Sequence, residues 1–286
     1  MNLSGAAKLA GVIGWPVSQS LSPLLHGTWL GEHGIDGAYV PLAVRPEDFE
    51  AAVDGLAKAG FRGVNVTVPH KEAAFALAQR HDAAAKAIGA VNLLCFGEKG
   101  LEGRNSDAYG LMTTLREALG EDAVKHKTVA IWGAGGTARA ALYALSEMGA
   151  AEIRIFNRTP DRAAALAKAF APLGSARLTG AGYDAWGEGG KDCALLLHTT
   201  SAGMKGAPSL DLPLEVLPQT AAVFDAVYNP LRTGLLVRAK ARGLRTIDGL
   251  WLLLHQAVPS FKAFYGVTPA VTPAMHSLLE KALHGG

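Results

Sequence analysis

The stretch GVNVTVPHK, residues 63–71, holds the first group able to do chemistry. Three valines alternate with Asn65 and Thr67, Pro69 ends the run, and Lys71 follows. With a period of two, Val64, Val66 and Val68 bury on one face, while Asn65 and Thr67 line the other. Pro69 suits the first position of a following helix, which sets Lys71 in that helix's first turn. An ammonium there opposes the helix dipole by ~0.3–1 kcal/mol, so its presence needs a reason. A solvated surface lysine is the bland reading. The chemical one is a proton donor to a carbonyl oxygen whose carbon receives a hydride, a general-acid task. Such a lysine needs an anion to orient it. Asp107, in GRNSDAYG (103–110), is the candidate, because it falls where one domain gives way to the next and a cleft would form.

The hydride source is encoded in VAIWGAGGTARAAL, residues 129–142. An apolar strand runs into Gly133, Ala134, Gly135, Gly136 and Thr137, and then into a helix. Gly133 permits the tight turn, Gly135 lets backbone approach a pyrophosphate, and Ala138 lets the helix pack closely on the strand. Free N–H groups at the helix start then meet the phosphates. An NAD binder usually carries Asp or Glu about 20 residues on, to hold the ribose 2′-hydroxyl. Here that place is Asn157, followed by Arg158, Thr159 and Arg162. Guanidiniums match a 2′-phosphate through charge-assisted hydrogen bonds. Two solvated arginines are the alternative, although arginine in a first helical turn opposes the dipole. Asp161 argues mildly the other way. The cofactor expected is NADP.

These groups need a scaffold. Short apolar strands alternate with alanine-rich helical patterns: AGVIGW (10–15), GAYVPLAV (37–44), PEDFEAAVDGLAKAG (46–60), then residues 63–69, then KEAAFALAQRHDAAAKAIG (71–89). A second series follows the glycine motif, with AEIRIFNRT (151–159), DRAAALAKAF (161–170), KDCALLLHTTS (191–201) and AAVFDAVYN (221–229). The alternation predicts an α/β protein of two domains. The first is an N-terminal α/β substrate domain with a mixed, mainly parallel sheet. The second is a Rossmann-type, doubly wound NADP-binding domain. The expected divisions are 1–107, 108–247 and a helical segment, 248–286, broken by prolines and packing back on the first domain.

Composition narrows the class. At 286 residues, 49% hydrophobic and 18% charged, the chain suits a globular protein with a sizeable core. Lysine and arginine total 27 against 25 acidic residues, so no electrostatic footprint marks nucleic acid or an anionic membrane. Any anionic ligand must be met by a local cluster. Cys95 and Cys193 belong to no metal or redox spacing and read as reduced thiols. The nine histidines form no i,i+4 pair, so no metal is expected. No apolar run approaches the ~20 residues of a membrane span, and Gly14 and Pro16 interrupt the N-terminal apolar stretch. The expectation is a cytoplasmic protein, monomer or homodimer, acting on a small molecule.

In chain order, SLSPLLH (20–26), NVTVPHK (65–71), GAVN (89–92), GRNSDAYG (103–110), GAGGTAR (133–139), NRTPDR (157–162), DAVYNP (225–230) and DGLWLLLHQA (248–257) resemble the blocks of the shikimate dehydrogenase family across nearly the whole chain. The resemblance implies reversible, NADPH-dependent reduction of 3-dehydroshikimate to shikimate in aromatic amino-acid biosynthesis. It implies that Lys71 is the acid/base residue, with Asp107 paired to it and bound to substrate hydroxyls. Ser20 and Ser22 would bind the substrate carboxylate with help from Tyr228. Thr67, Asn92 and Gln256 would bind hydroxyls, and Asn65 would support the site. Ala226 and Gly249 would meet the nicotinamide end through backbone.

Three departures from the family pattern stand out. Ser106 replaces the usual Thr and keeps the hydroxyl. Trp251 and Leu252 replace the usual Gly and Met, which alters the shape of the pocket. His198 replaces the usual Asn in HTTSAGM (198–204) and reads as a loop histidine with a structural hydrogen bond rather than an extra base. The rival readings are a family enzyme acting on quinate or an amino- or deoxy-analogue, a ligand-sensing regulator without turnover, and a more distant two-domain NADP enzyme. Retention of Lys71 and Asp107 argues against the regulator. The ordered first-domain blocks argue against the last.

Overall fold

Apolar strand segments and alanine-rich helices alternate along the chain, and they fold into two six-stranded sheets with helices between the strands. The computed structural model describes residues 3–284. One unit ends at Asp107 and takes in Leu253–Leu279, while the other comprises Ala108–Leu252 with the chain from Glu280. The division expected at 247/248 therefore lies between Leu252 and Leu253.

The first unit contains β1 (Lys8–Gly14), α1 (Ser22–Glu32), β2 (Gly37–Ala43), α2 (Phe49–Lys58), β3 (Gly63–Val66), α3 (Lys71–Leu77), β4 (Arg80–His81), α4 (Ala83–Ile88), β5 (Leu93–Cys95) and β6 (Glu102–Arg104). Its sheet runs β2-β1-β3-β5-β6-β4. β1 pairs in parallel with β2 and β3, whereas β5 is antiparallel to both β3 and β6. Ile13, Val64, Val66 and Leu94 from the sheet pack with Phe49 and Val53 of α2 and Ala74 of α3 into one apolar core.

Two expectations fail just beyond β3. The strand stops at Val66, and Val68 is 69% exposed instead of sharing the buried face of Val64. The reason is a turn: Thr67 N still donates to Ile13 O, but His70 N then donates to Thr67 O and ends the period-two alternation. Pro69 lies within that turn, ahead of the N-cap His70, so it does not open the helix. Lys71 does.

The second unit begins within α5 (Asp107–Leu119) and contains β7 (Thr128–Trp132), α6 (Gly136–Glu147), β8 (Glu152–Phe156), α7 (Pro160–Phe170), β9 (Arg177–Ala181), α8 (Trp186–Gly189), β10 (Leu195–His198), β11 (Ala222–Asp225), α9 (Gly234–Ala241) and β12 (Arg245–Ile247). All five strand pairings are parallel, in the order β12-β11-β10-β7-β8-β9. The order reverses between β7 and β10. In open α/β sheets, ligands bind beyond the carboxyl ends of the strands at such a switch point.

α10 (Gly249–Tyr265) and α11 (Pro273–His284) complete the chain. Pro259 was expected to break the helical segment, yet α10 continues through it for 17 residues. Its buried faces explain this: Leu254, Ala257, Phe261 and Phe264 are all core residues, and their burial outweighs the lost backbone bond. No helix among the described residues is long and apolar enough to cross a membrane.

Candidate active site

Strand register assembles the polar cluster of the first unit. Ile13 of β1 stands beside Val66 of β3, so the segments leading to Ser20 and to Lys71 leave neighbouring strand ends. Antiparallel pairing sets Asn65 opposite Leu93, and Leu93 opposite Arg104. Asn92, one residue before β5, thereby falls between β3 and the segment that follows β6. Val66 N donates to Asn92 O, and Asn92 N donates to Arg104 O.

The charged pair sits at this junction. Lys71 Nζ donates to Asp107 Oδ2 at 2.5 Å, with the two side chains 28% and 19% exposed. Asn92 Nδ2 donates to the other carboxylate oxygen at 2.8 Å and to Ser106 Oγ at 3.0 Å. Ser106 N returns a bond to Asn92 Oδ1, and Asp107 N donates to Asn105 Oδ1. Ser106 Oγ also reaches Gln256 Oε1 of α10 at 3.5 Å. An ammonium and a carboxylate, both reachable by solvent, the carboxylate held by the buried Asn92 amide and the ammonium by that carboxylate, can share a proton with a bound hydroxyl or carbonyl.

Asn65 is buried beneath this cluster. Its Nδ2 donates to Asn92 O at 3.0 Å and to Ser260 Oγ at 2.7 Å, and its Oδ1 accepts from Tyr39 OH at 2.8 Å. The Tyr39 hydroxyl is also hydrogen-bonded to Ser22, and burial pushes its phenol well above the ordinary range. Ser22 opens α1, and its N–H donates to Ser20 Oγ at 3.3 Å. Two hydroxyls at the start of an 11-residue helix, the positive end of its dipole, suit a carboxylate. Sequence reasoning named Ser20, Ser22, Asn65, Lys71, Asn92, Asp107 and Gln256, which these bonds join within the first unit, and Thr67, which the turn after β3 carries. It missed Tyr39 and Ser260, which no local pattern marks.

The glycine turn lies in the second unit. Gly133 has φ +124°, a left-handed conformation open to glycine, and a Cβ there would stand 2.6 Å from Thr199 Oγ1. Gly135 caps α6, and the space beside Gly135 and Gly136 is open where side chains would stand. Backbone N–H groups facing an open cradle fit a pyrophosphate, so the residues present suit a dinucleotide. Ala138 is fully buried against the sheet. Beyond β8, Asn157 Nδ2 donates to Thr159 O, and Thr159 caps α7. Arg158 and Arg162 are exposed beside that cap. Ala226 and Gly249 are brought together, since a Cβ at Gly249 would meet Ala226 O at 2.4 Å. Tyr228 follows β11 in the same unit, and burial raises its phenol above the usual range.

Comparison with known proteins gives the same outline. Residues 12–94 match the model of the shikimate dehydrogenase substrate binding domain, and residues 115–179 match that of shikimate/quinate 5-dehydrogenase. The chain is 50% identical over 278 residues to the NADP(+) shikimate dehydrogenase of Paramagnetospirillum magneticum, covering 97% of this chain and 99% of that one. The crystal structure of a shikimate dehydrogenase in complex with NADP+ superposes with a TM-score of 0.90 at 33% identity, covering 98% of this chain and 97% of that one. Shikimate 5-dehydrogenase from Thermus thermophilus, in complex with NADP(H) and shikimate, gives 0.84 at 34% identity, with 96% and 99% covered.

Proposed function

The chain belongs to the shikimate dehydrogenase family, and we infer from that membership that it catalyses the reversible, NADPH-dependent reduction of 3-dehydroshikimate to shikimate. The observation that carries the chemistry is the 2.5 Å contact between Lys71 and Asp107, with Asn92 on the free carboxylate oxygen. Lys71 holds at Nζ the proton that passes to the substrate's carbonyl oxygen. Asp107 orients that ammonium and accepts a substrate hydroxyl. NADPH, when bound, supplies the hydride. Ser20 and Ser22 bind the carboxylate at the start of α1, with the Tyr228 hydroxyl as a further donor. Thr67, Asn92 and Gln256 bind ring hydroxyls, and Asn65 holds their strand in place.

Gly133, Ala134, Gly135, Gly136 and Thr137 hold the cofactor's phosphates, while Asn157, Arg158, Thr159 and Arg162 meet its 2′-phosphate. Ala226 and Gly249 contact the nicotinamide end through backbone. The setting that fits this reading is a cytoplasmic monomer or homodimer in aromatic amino-acid biosynthesis. Initial rates with shikimate and quinate, each with NADP and NAD, test it. Shikimate with NADP should be the fastest pair. A faster quinate reaction would reassign the substrate, and no turnover with either would favour the regulator.

A further inference from the structure

His198 closes β10 at the switch point of the second sheet and is fully buried. Its Nδ1 lies 2.8 Å from Asp225 Oδ1, and its Nε2 lies 2.5 Å from Thr200 Oγ1. Asp225, equally buried at the end of β11, also accepts from Val227 N at 3.0 Å and Thr233 Oγ1 at 2.6 Å. A carboxylate at Nδ1 makes that nitrogen the donor, and Nε2 shares a hydrogen bond with the Thr200 hydroxyl. Thr200 Oγ1 in turn accepts from Ala202 N at 3.1 Å, which folds the loop back on itself.

Each end of this chain touches a loop that the cofactor reading uses. Toward the phosphates, a Cβ on Gly133 would stand 2.6 Å from Thr199 Oγ1 and 2.9 Å from Thr200 Cγ2, so the threonines wall the glycine turn. Toward the nicotinamide end, Ala226 N donates to His198 O at 2.9 Å, and Ala226 O packs on Gly249. One residue thus ties together the loops after β10 and β11. An asparagine, the usual family residue here, ends where Nδ1 stands, so it reaches Asp225 but not Thr200.

We propose that His198 is a positioning residue of the cofactor site, fixing the Thr200 loop against the Gly133 turn while holding the segment after β11 through Asp225 and Ala226. The proposal rests on the NADP reading above. Two variants of Thr200 separate it from simple packing. Thr200→Val keeps the methyl that lies on Gly133 and deletes the hydroxyl, while Thr200→Ser does the reverse.

The test measures NADP binding by calorimetry on the full chain, with steady-state kinetics for both substrates. Thr200→Val should raise Kd and KM for NADP about 3–10-fold, the effect of one buried hydrogen bond. Its kcat at saturation and KM for shikimate should stay within about twofold of the parent. Thr200→Ser should match the parent. His198→Asn should repeat the Thr200→Val defect, and combining the two should add nothing, because both cut one link. Impaired Ser with normal Val, normal binding by both, or additive losses in the double variant would each overturn the proposal. A parent chain that fails to bind NADP would instead overturn the functional reading beneath it.

Discussion

In the mechanism proposed above, the Lys71 proton moves only as the carbonyl is reduced, which would make Lys71 a transition-state residue. Lys71→Ala should therefore lower kcat by ~10²–10⁴-fold, the range for positioned acid–base groups, with KM nearly unchanged. Near-normal turnover would remove Lys71 from the mechanism. In the same proposal Ser22 would meet a carboxylate that is equally charged before and during the reaction. Ser22→Ala should raise KM for shikimate more than it lowers kcat, and a pure kcat defect would contradict that role. Arg158 and Arg162 are not paired with a carboxylate among the described residues, so they are available to a phosphate. A hydrogen bond to a charged group contributes ~1.5–3 kcal/mol, or roughly ten- to a hundredfold in affinity. Arg158→Ala should erode the preference for NADP by that order, mainly through KM. Asn157→Asp should add repulsion toward the 2′-phosphate while offering NAD an acceptor. Values of kcat/KM for both cofactors on the three proteins decide the matter, and equal use of NAD by the parent would make the arginines mere solvated surface.

At the scale of single elements, α1 does two things. Its first turn presents Ser22, and its buried face sets His26 flat on the Tyr39 ring of β2, 3.9 Å between centroids. Burial brings the His26 imidazole down to about 3. Unfolded, the same side chain takes up its proton near its ordinary value of 6.5. Between those values the unfolded chain binds more protons, so stability is full above about pH 6.5 and falls as pH drops toward 3, by at most about 1.4 kcal/mol per pH unit from this group. His26→Leu should remove about one proton from the pH dependence of urea unfolding between roughly pH 4 and 6. An unchanged slope would mean that the folded protein already carries a charged His26. β3 shows a different limit of local pattern. Its alternation correctly turned Asn65 away from Val64 and Val66, but the Thr67–His70 turn exposed Val68.

For the molecule as a whole, a ligand that binds only the folded chain stabilises it by mass action, about 2.7 kcal/mol at a hundred times Kd. NADP should accordingly raise the melting midpoint, and NAD at equal concentration should raise it less. Equal protection by the two would show that the 2′-phosphate is not recognised. The readings made from residue order alone each rest on one short segment. The glycine turn needs only a strand, three small residues and a helix in succession. The Asn157–Arg162 stretch needs only its distance from that turn. Lys71 and Asn65 share one run of nine residues. The features that needed the folded chain are contacts between distant segments. Tyr39 and Ser260 reach Asn65 across 26 and 195 residues, and His198 meets Asp225 across 27. Pro259 persists inside α10 because of what that helix buries. Periodicity records which face of an element is apolar, because burial repeats with the backbone. It leaves no mark of a single hydrogen bond between segments far apart in sequence, because such a bond depends on strand register and packing and not on any neighbouring residue type.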